Sequence, residues 1–567
     1  MAHADQAGIV RLALNSSLYP PRDEPLPEGS PVVADNVNNL PYLPEQAWEL
    51  ARLIYYAGNN VPSFFFSTQK VSWSEDGEID IRKIHSSLPL GFLDELERFQ
   101  LLHVRQSSGQ ETYSLCKLIS DEIPPSTSIK EAGQWRMRAL KHVFDIFPQT
   151  GETEPITYTQ KGDSLVPILR KLSSYMWSDA TQGSDTEFLA AAFKGFLAAT
   201  NFGDFTWKIQ AIQVAERLSL LTNNYVDISR VSLRHYALRR LDPLRRKQPV
   251  PSLPLTISHL QAANKRDNAF MGQFTLMKTQ ALMDEGASPS DVYEATRTFQ
   301  VLDPNEISRQ EDLVLLQCRF LYAKSLRYDG RFEQAAEFFN QVLDTAKQLK
   351  SRLMLKVVIQ YAELESERGN HAVALQFLNQ DKEYLSSARR TELGSGRRLT
   401  LALAYAHLMK ALDDMIRIGH RDDVALNEAA GLFQWIQNAY TSMGQVSLTL
   451  TQSIFQACCG LAMIYHIRQE TAQAYHWWEE AKVAANRRWP EPGYAIMIVA
   501  YSQSQLAFQL GRADAVELSQ QAKQVWDSIG RRRYYHFTGL GTLWPDCIGY
   551  HEEQQSRQRL IPLHQQG

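Results

Sequence analysis

Apolar residues recur at helical spacing along most of the chain. Ala47, Leu50, Ala51, Ile54 and Ala57 form the first such stripe, with Pro44 suited to a first turn and Gly58-Asn59-Asn60 as the stop. A second helix is predicted near Phe92 to Phe99. Two strand-like runs follow, Leu101 to Arg105 and Thr112 to Cys116, joined by the polar stretch 106–111. Helices followed by one hairpin predict a small winged-helix-like α+β module over residues 42–122, ending before Pro124-Pro125. Ahead of it, residues 1–41 hold Pro20, Pro21, Pro25, Pro27 and Pro31 without a sustained period and read as a disordered tail.

Beyond the module the period is helical throughout. Trp135, Ala139, Val143 and Phe147 mark one helix, stopped at Pro148, and further amphipathic stretches run from Phe188 to Ala199 and from Ile209 to Leu221. Residues 123–260 read as a helical segment of degenerate repeats, ending in a linker punctuated by Pro243, Pro249, Pro251 and Pro254.

Residues 261–535 resemble themselves. Leu461-Ala462 and Tyr465 precede Ala474-x3-Trp478-x2-Ala481; Tyr322-Ala323 and Gly330 precede Ala335-x3-Phe339-x2-Val342; Tyr361-Ala362 and Gly369 precede Ala374-x3-Leu378. Weaker echoes are Ala295-x3-Phe299-x2-Leu302, Ala429-x3-Phe433-x2-Ile436, and Ala515-x3-Ser519-x2-Ala522 after Gly511. This is tetratricopeptide spacing: small residues where two antiparallel helices touch, large ones where the pair meets its neighbour. Gly330 and Gly369 are 39 residues apart, longer than the usual ~34, so extended helices are expected. The predicted fold class is therefore all-α: a superhelical solenoid of helical hairpins, behind the small N-terminal module. Its repeat core is expected to hold Ala323, Gly330, Ala335, Phe339, Ala362, Gly369, Ala374, Ala462, Tyr465, Ala474, Trp478 and Ala481. Residues 536–567 read as a C-terminal tail.

Composition narrows the function. With Lys+Arg 59 against Asp+Glu 63, the net charge of −4 provides no overall field for a nucleic acid or an anionic membrane. Five cysteines, odd in number and never spaced as CxxC, suggest neither a disulfide framework nor a zinc site. No run is long enough to span a membrane, and no secretory leader is evident, which points to the cytosol or nucleus.

Local chemistry is sparse. GxxxxGK[ST], HExxH and GxSxG do not occur; Gly539-Leu540-Gly541 lacks a third glycine, and His551-Glu552-Glu553 lacks a second histidine. Asp413-Asp414-Met415-Ile416-Arg417 places a cation where a magnesium-binding motif needs a carboxylate, so a solvated helix face with i,i+3 pairs is expected. Cys458 and Cys459 lie about 100° apart on a helix and read as buried small residues. No catalytic residue, metal or cofactor is indicated. The strongest charge feature runs from Arg230 and Arg234 through Arg239, Arg240, Arg245, Arg246 and Lys247, a basic patch that reads first as a solvated helix end and linker, then as a docking patch for an acidic partner, and last as a site for nucleic acid or phosphoinositide. Asp94, Glu95 and Glu97 make the presumed second helix of the module a poor match for DNA phosphates.

The order of these parts resembles the C-terminal half of fungal STAND signalling NTPases, the NB-ARC and tetratricopeptide proteins related to NOD-like receptors. The residues that carry the resemblance are the Ala47 to Ala57 helix followed by Val61-Pro62, the wing ending in Tyr113-Ser114-Leu115-Cys116-Lys117-Leu118-Ile119, and the repeats. Cys116 stands where that family usually has histidine, and Leu165-Val166-Pro167 only partly matches its Leu-Pro-His segment. The family's nucleotide-binding lobe is not in this sequence, so no functional residue transfers and no nucleotide binding is expected. The leading expectation is a non-catalytic scaffold or adaptor that binds a protein or peptide in the concave groove, with Arg319, Lys324, Gln360 and Glu363 as candidate contacts. The alternatives are a regulatory or sensor subunit of a signalling or transcription complex, and an all-helical enzyme with a non-local active site.

Overall fold

The computed structural model describes residues 43–83, 90–107, 110–149, 156–176, 186–222, 225–240, 262–284, 287–351, 353–380, 393–441, 448–488, 494–529 and 544. The expected N-terminal tail, the proline-punctuated linker and, Trp544 apart, the expected C-terminal tail lie outside them. The described residues form an all-α protein of twenty helices with a small strand-bearing module near its N-terminus. They divide into two compact units, one drawn from the described residues within 43–72, 80–149 and 156–231, the other from those within 73–79 and 232–544.

In the first unit, α1 (Glu45–Ala57) buries the predicted stripe. It ends because Gly58 at φ 138° and Asn59 at φ 51° leave helical geometry. Pro44 caps this helix instead of entering its first turn, its carbonyl accepting from Ala47 N at 2.9 Å. β1 (Val61–Pro62), β4 (Leu102–Ser107) and β5 (Gln110–Leu115) form an antiparallel sheet in the order β1-β5-β4, with Val61 and Val104 both opposite Tyr113. Between them in sequence, β2 (Gln69–Trp73) and β3 (Ile79–Lys83) make a second, two-stranded sheet. The short helices α2 (Leu93–Arg98) and α3 (Lys117–Glu122) flank β4 and β5 in sequence.

α4 (Ile129–Ile146) opens with a capping box, in which Ser128 Oγ accepts from Glu131 N and Glu131 Oε2 accepts from Ser128 N. It packs on α1, on α5 (Ile156–Ser173) and on α6 (Thr186–Ala199), and α6 packs on α7 (Phe205–Thr222). α8 spans Tyr225–Arg240.

In the second unit the remaining helices come as six pairs: α9 (Lys265–Asp284) with α10 (Pro289–Arg297), α11 (Arg309–Tyr328) with α12 (Phe332–Gln348), and α13 (Leu353–Glu367) with α14 (His371–Gln380). Then follow α15 (Leu393–Ile418) with α16 (Asp423–Thr441), α17 (Leu448–Ile467) with α18 (Thr471–Arg488), and α19 (Tyr494–Gln509) with α20 (Ala515–Ile529). Phe339, Leu378, Phe433 and Trp478 are fully buried on second helices, each four residues after a fully buried alanine: Ala335, Ala374, Ala429 and Ala474. Ala323, Ala362 and Ala462 are as deeply buried on first helices, and Ala481 on α18. The small residues let helix axes approach. The large ones fill the space between, each worth roughly 1.5–3 kcal/mol for an aliphatic or Phe side chain. Gly460 shows how close the approach is, since a Cβ there would lie 2.2 Å from the Phe433 ring of the preceding hairpin.

Gly330 and Gly369, read as core positions, instead make the turns within hairpins. At φ 80° and 84° they adopt left-handed geometry, so that Arg331 N reaches Leu326 O at 2.9 Å and Asn370 N reaches Glu365 O at 2.8 Å. Gly511 and Gln469 repeat the turn, with Arg512 N on Ala507 O at 2.8 Å and Glu470 N on Tyr465 O at 2.9 Å. Tyr465 is half-buried, at the rim of the core. The echo at Ala295 breaks off early: α10 ends at Arg297, which leaves Leu302 exposed.

Candidate partner-binding surface

α11 and α13 are first helices of successive hairpins and touch one another, as α13 and α15 do. α11 begins at the Ser308/Glu311 capping box. Near its other end lies Arg327, whose side chain is 2% exposed. Arg327 Nε and Nη2 donate to the two oxygens of Glu367 at 2.9 and 2.7 Å, and Nη1 donates to Glu363 Oε2 at 2.8 Å and Gln360 Oε1 at 2.9 Å. Gln360 Nε2 donates to Glu363 Oε2 at 2.8 Å, which closes the network. Glu363 and Glu367 share one face of α13 because they are four residues apart.

Burial works against the Arg327 charge, but the carboxylates of Glu367 and Glu363 more than offset it and hold its pKa above the ordinary value. Burial likewise raises the Glu363 pKa, and Arg327 pulls only part of the way back. A fork-shaped guanidinium suits such a two-carboxylate clamp better than a lysine would.

Of the four candidate contacts, Gln360 and Glu363 are thus engaged in the Arg327 network, with Arg327 and with each other. Lys324 is half-buried, with Nζ 5.7 Å from the Phe320 ring centre and 5.6 Å from that of Tyr328. Arg319 is exposed, within electrostatic reach of Asp312. Arg327 and Glu367 were not singled out by sequence reasoning. The available signal was the i,i+4 spacing of Glu363 and Glu367 on one helix.

Arg239 lies near the end of α8, its Nε 2.9 Å from His235 Nε2, and Arg240 is the final residue of that helix. Arg245, Arg246 and Lys247 lie outside the described residues. The Asp413-Asp414 face differs from its expectation: Asp413 is buried and pairs with Arg417 at 2.7 Å, i,i+4 in place of i,i+3, while His371 Nε2 approaches it to 3.6 Å. Asp414 pairs with Lys410 at 3.0 Å.

Burial pushes the Cys318 and Cys458 thiols up to about 12 and raises that of Cys459 well above its ordinary value, which leaves them protonated and unreactive at neutral pH. Burial also lowers His142 and His466 to about 4 and Lys161 to about 8. His142 Nε2 lies 2.6 Å from Phe65 O, and Lys161 Nζ donates to Ser67 Oγ and Gln69 O at 3.0 Å each. Among the described residues no group of three or more His, Cys, Asp or Glu side chains could hold a metal ion, and no helix is long and apolar enough to cross a membrane.

No protein-family model matches this sequence, and no curated protein matches it. Among solved structures the chain is similar to a Signal Transduction ATPase with Numerous Domains (STAND) protein with a tetratricopeptide repeat sensor from Pyrococcus horikoshii, at 11% identity and a TM-score of 0.39. The match covers 88% of this chain and 66% of that one, so the chain spans just under two thirds of that protein's length.

Proposed function

We propose that the protein is a non-catalytic helical-hairpin scaffold that takes an acidic protein or peptide segment across α11, α13 and α15. One observation supports this above others. In α11 and α13 the single exposed position is a cation, Arg319 and Lys356 respectively, and among the described side chains of α15 the first exposed position is again a cation, Arg398. Of the acids of α13, Glu363 and Glu367 are clamped by Arg327, and Glu365 pairs with Arg368. A row of cations on adjacent first helices steers an acidic chain and fixes its register. This reading places the protein in the cytosol or nucleus, with no role for nucleotide, nucleic acid or cofactor.

The test is affinity capture of partners with the wild-type chain, followed by the triple reversal Arg319→Glu, Lys356→Glu and Arg398→Glu. Binding should fall at least tenfold in the variant at an unchanged melting temperature, and wild-type binding should weaken with salt. Unaltered binding removes this surface from consideration. The separate compact unit with its own strand module favours a second reading: a regulatory or sensor subunit in which that module, of winged-helix type, engages an NTPase supplied by another chain.

A further inference from the structure

α17 and α19, the first helices of the last two hairpins, show no exposed side chain among their described positions before Gln509 at the end of α19. On α19 the buried positions include a polar run, Ser502, Gln503, Ser504 and Gln505. Buried polar groups need partners, and here one partner comes from far along the chain. Trp544, fifteen residues beyond the end of α20, is wholly buried. Its indole N–H donates to Ser502 Oγ at 2.9 Å, and Ser502 Oγ donates onward to Ile498 O at 2.7 Å. The His466 ring of α17 stands edge-on at 5.4 Å between centroids, and the Trp478 ring of α18 lies at 6.0 Å. Around the slot, Gln503 Oε1, His466 Nδ1 and Trp478 Nε1 are buried without a hydrogen-bond partner, while Gln503 Nε2 donates to Glu479 Oε1 at 2.8 Å.

Trp478 reaches this buried cluster from the second helix of its own hairpin. Trp544 comes from outside all six hairpins, and its hydrogen bond is to a first helix, the kind of element on which hairpin stacks take peptide ligands. The slot also offers more hydrogen-bonding groups than one indole uses. We propose that Ser502, His466 and Trp478 form an indole-binding site filled in cis by Trp544, and that a partner segment carrying a tryptophan gains the last two hairpins by displacing it. This rests on the reading of the first helices as the partner-facing side, and not on the cations of α11, α13 and α15.

The experiment uses the full-length chain. A Trp544→Ala variant is titrated with a labelled peptide of the sequence 537–551, with anisotropy and thermal melting as readouts. The variant should bind the peptide at least tenfold more tightly than wild type and melt higher in its presence, and the same peptide with alanine for the tryptophan should not bind. A folded Trp544→Ala chain that ignores the peptide, or binds both peptides alike, overturns the proposal. If Trp544→Ala does not fold, Trp544→Phe takes its place: a ring without the indole N–H loses the bond to Ser502 while the site stays intact, so binding of the peptide in trans should rise several-fold, and wild-type affinity in that variant overturns the proposal. No acidic partner enters these measurements, so a failure of the cation surface leaves their outcome untouched.

Discussion

In α11 and α13 one cation rises from each helix, Arg319 and Lys356, while α17 shows no exposed side chain among its described positions and α19 only Gln509 at its end. All four are first helices of hairpins in one stack, and they differ in what becomes of their polar groups. The middle pair gathers its acids inward around Arg327, leaving positive charge outside. The terminal pair keeps neutral polar groups inside, one of which, Ser502, accepts from a buried indole. A common backbone plan can therefore present a surface or close one, and side chains at few positions decide which.

The largest expected effect lies at the closed end. Trp478→Ala should cost ~3–5 kcal/mol in chemical denaturation, as large-to-small core changes do, and a variant melting like its parent would show the hairpin register to be wrong. Slightly smaller is the response of the open stretch to Arg327→Ala, which strands Glu363 and Glu367 in the interior at a cost of about 3 kcal/mol. Arg327→Met combined with Glu363→Gln and Glu367→Gln should recover most of that loss, because the buried charges go together.

Acid sharpens the contrast further. The folded-state pKa of His466 lies near 4, below the ordinary 6.5, so its neutral form contributes stability that is present above pH 6.5 and lost as pH falls through 4. The loss should reach on the order of 3 kcal/mol, and His466→Asn should flatten the melting temperature between pH 6.5 and 4. His142 adds a fall of the same sign in the first unit. Smallest of all, Lys356→Ala should shift stability by no more than about 0.5 kcal/mol while weakening acidic-peptide binding.

What could be read in the sequence follows the range of the interactions. Ala335 with Phe339, Ala429 with Phe433 and Ala474 with Trp478 are one turn apart on a single helix, so their spacing alone reveals a packed face. The Arg327 clamp joins residues forty positions apart, and nothing local distinguishes that arginine from a solvated one. Gly330 and Gly369 stood out in the sequence, but their role comes from a backbone angle that composition does not encode. Gln69 to Trp73 is too short an alternating run to declare a strand beside stronger helical signals. Trp544 follows no periodic stretch at all, and only three-dimensional packing reveals its partner.

The notch at Gly460 ties the fourth hairpin to the fifth. Hairpin arrays are often regarded as interchangeable modules, yet an alanine at this position would set a methyl carbon 2.2 Å from the Phe433 ring. Duplicating, deleting or transplanting either hairpin alone would part the ring from the gap that admits it, so these two are heritable only as a couple.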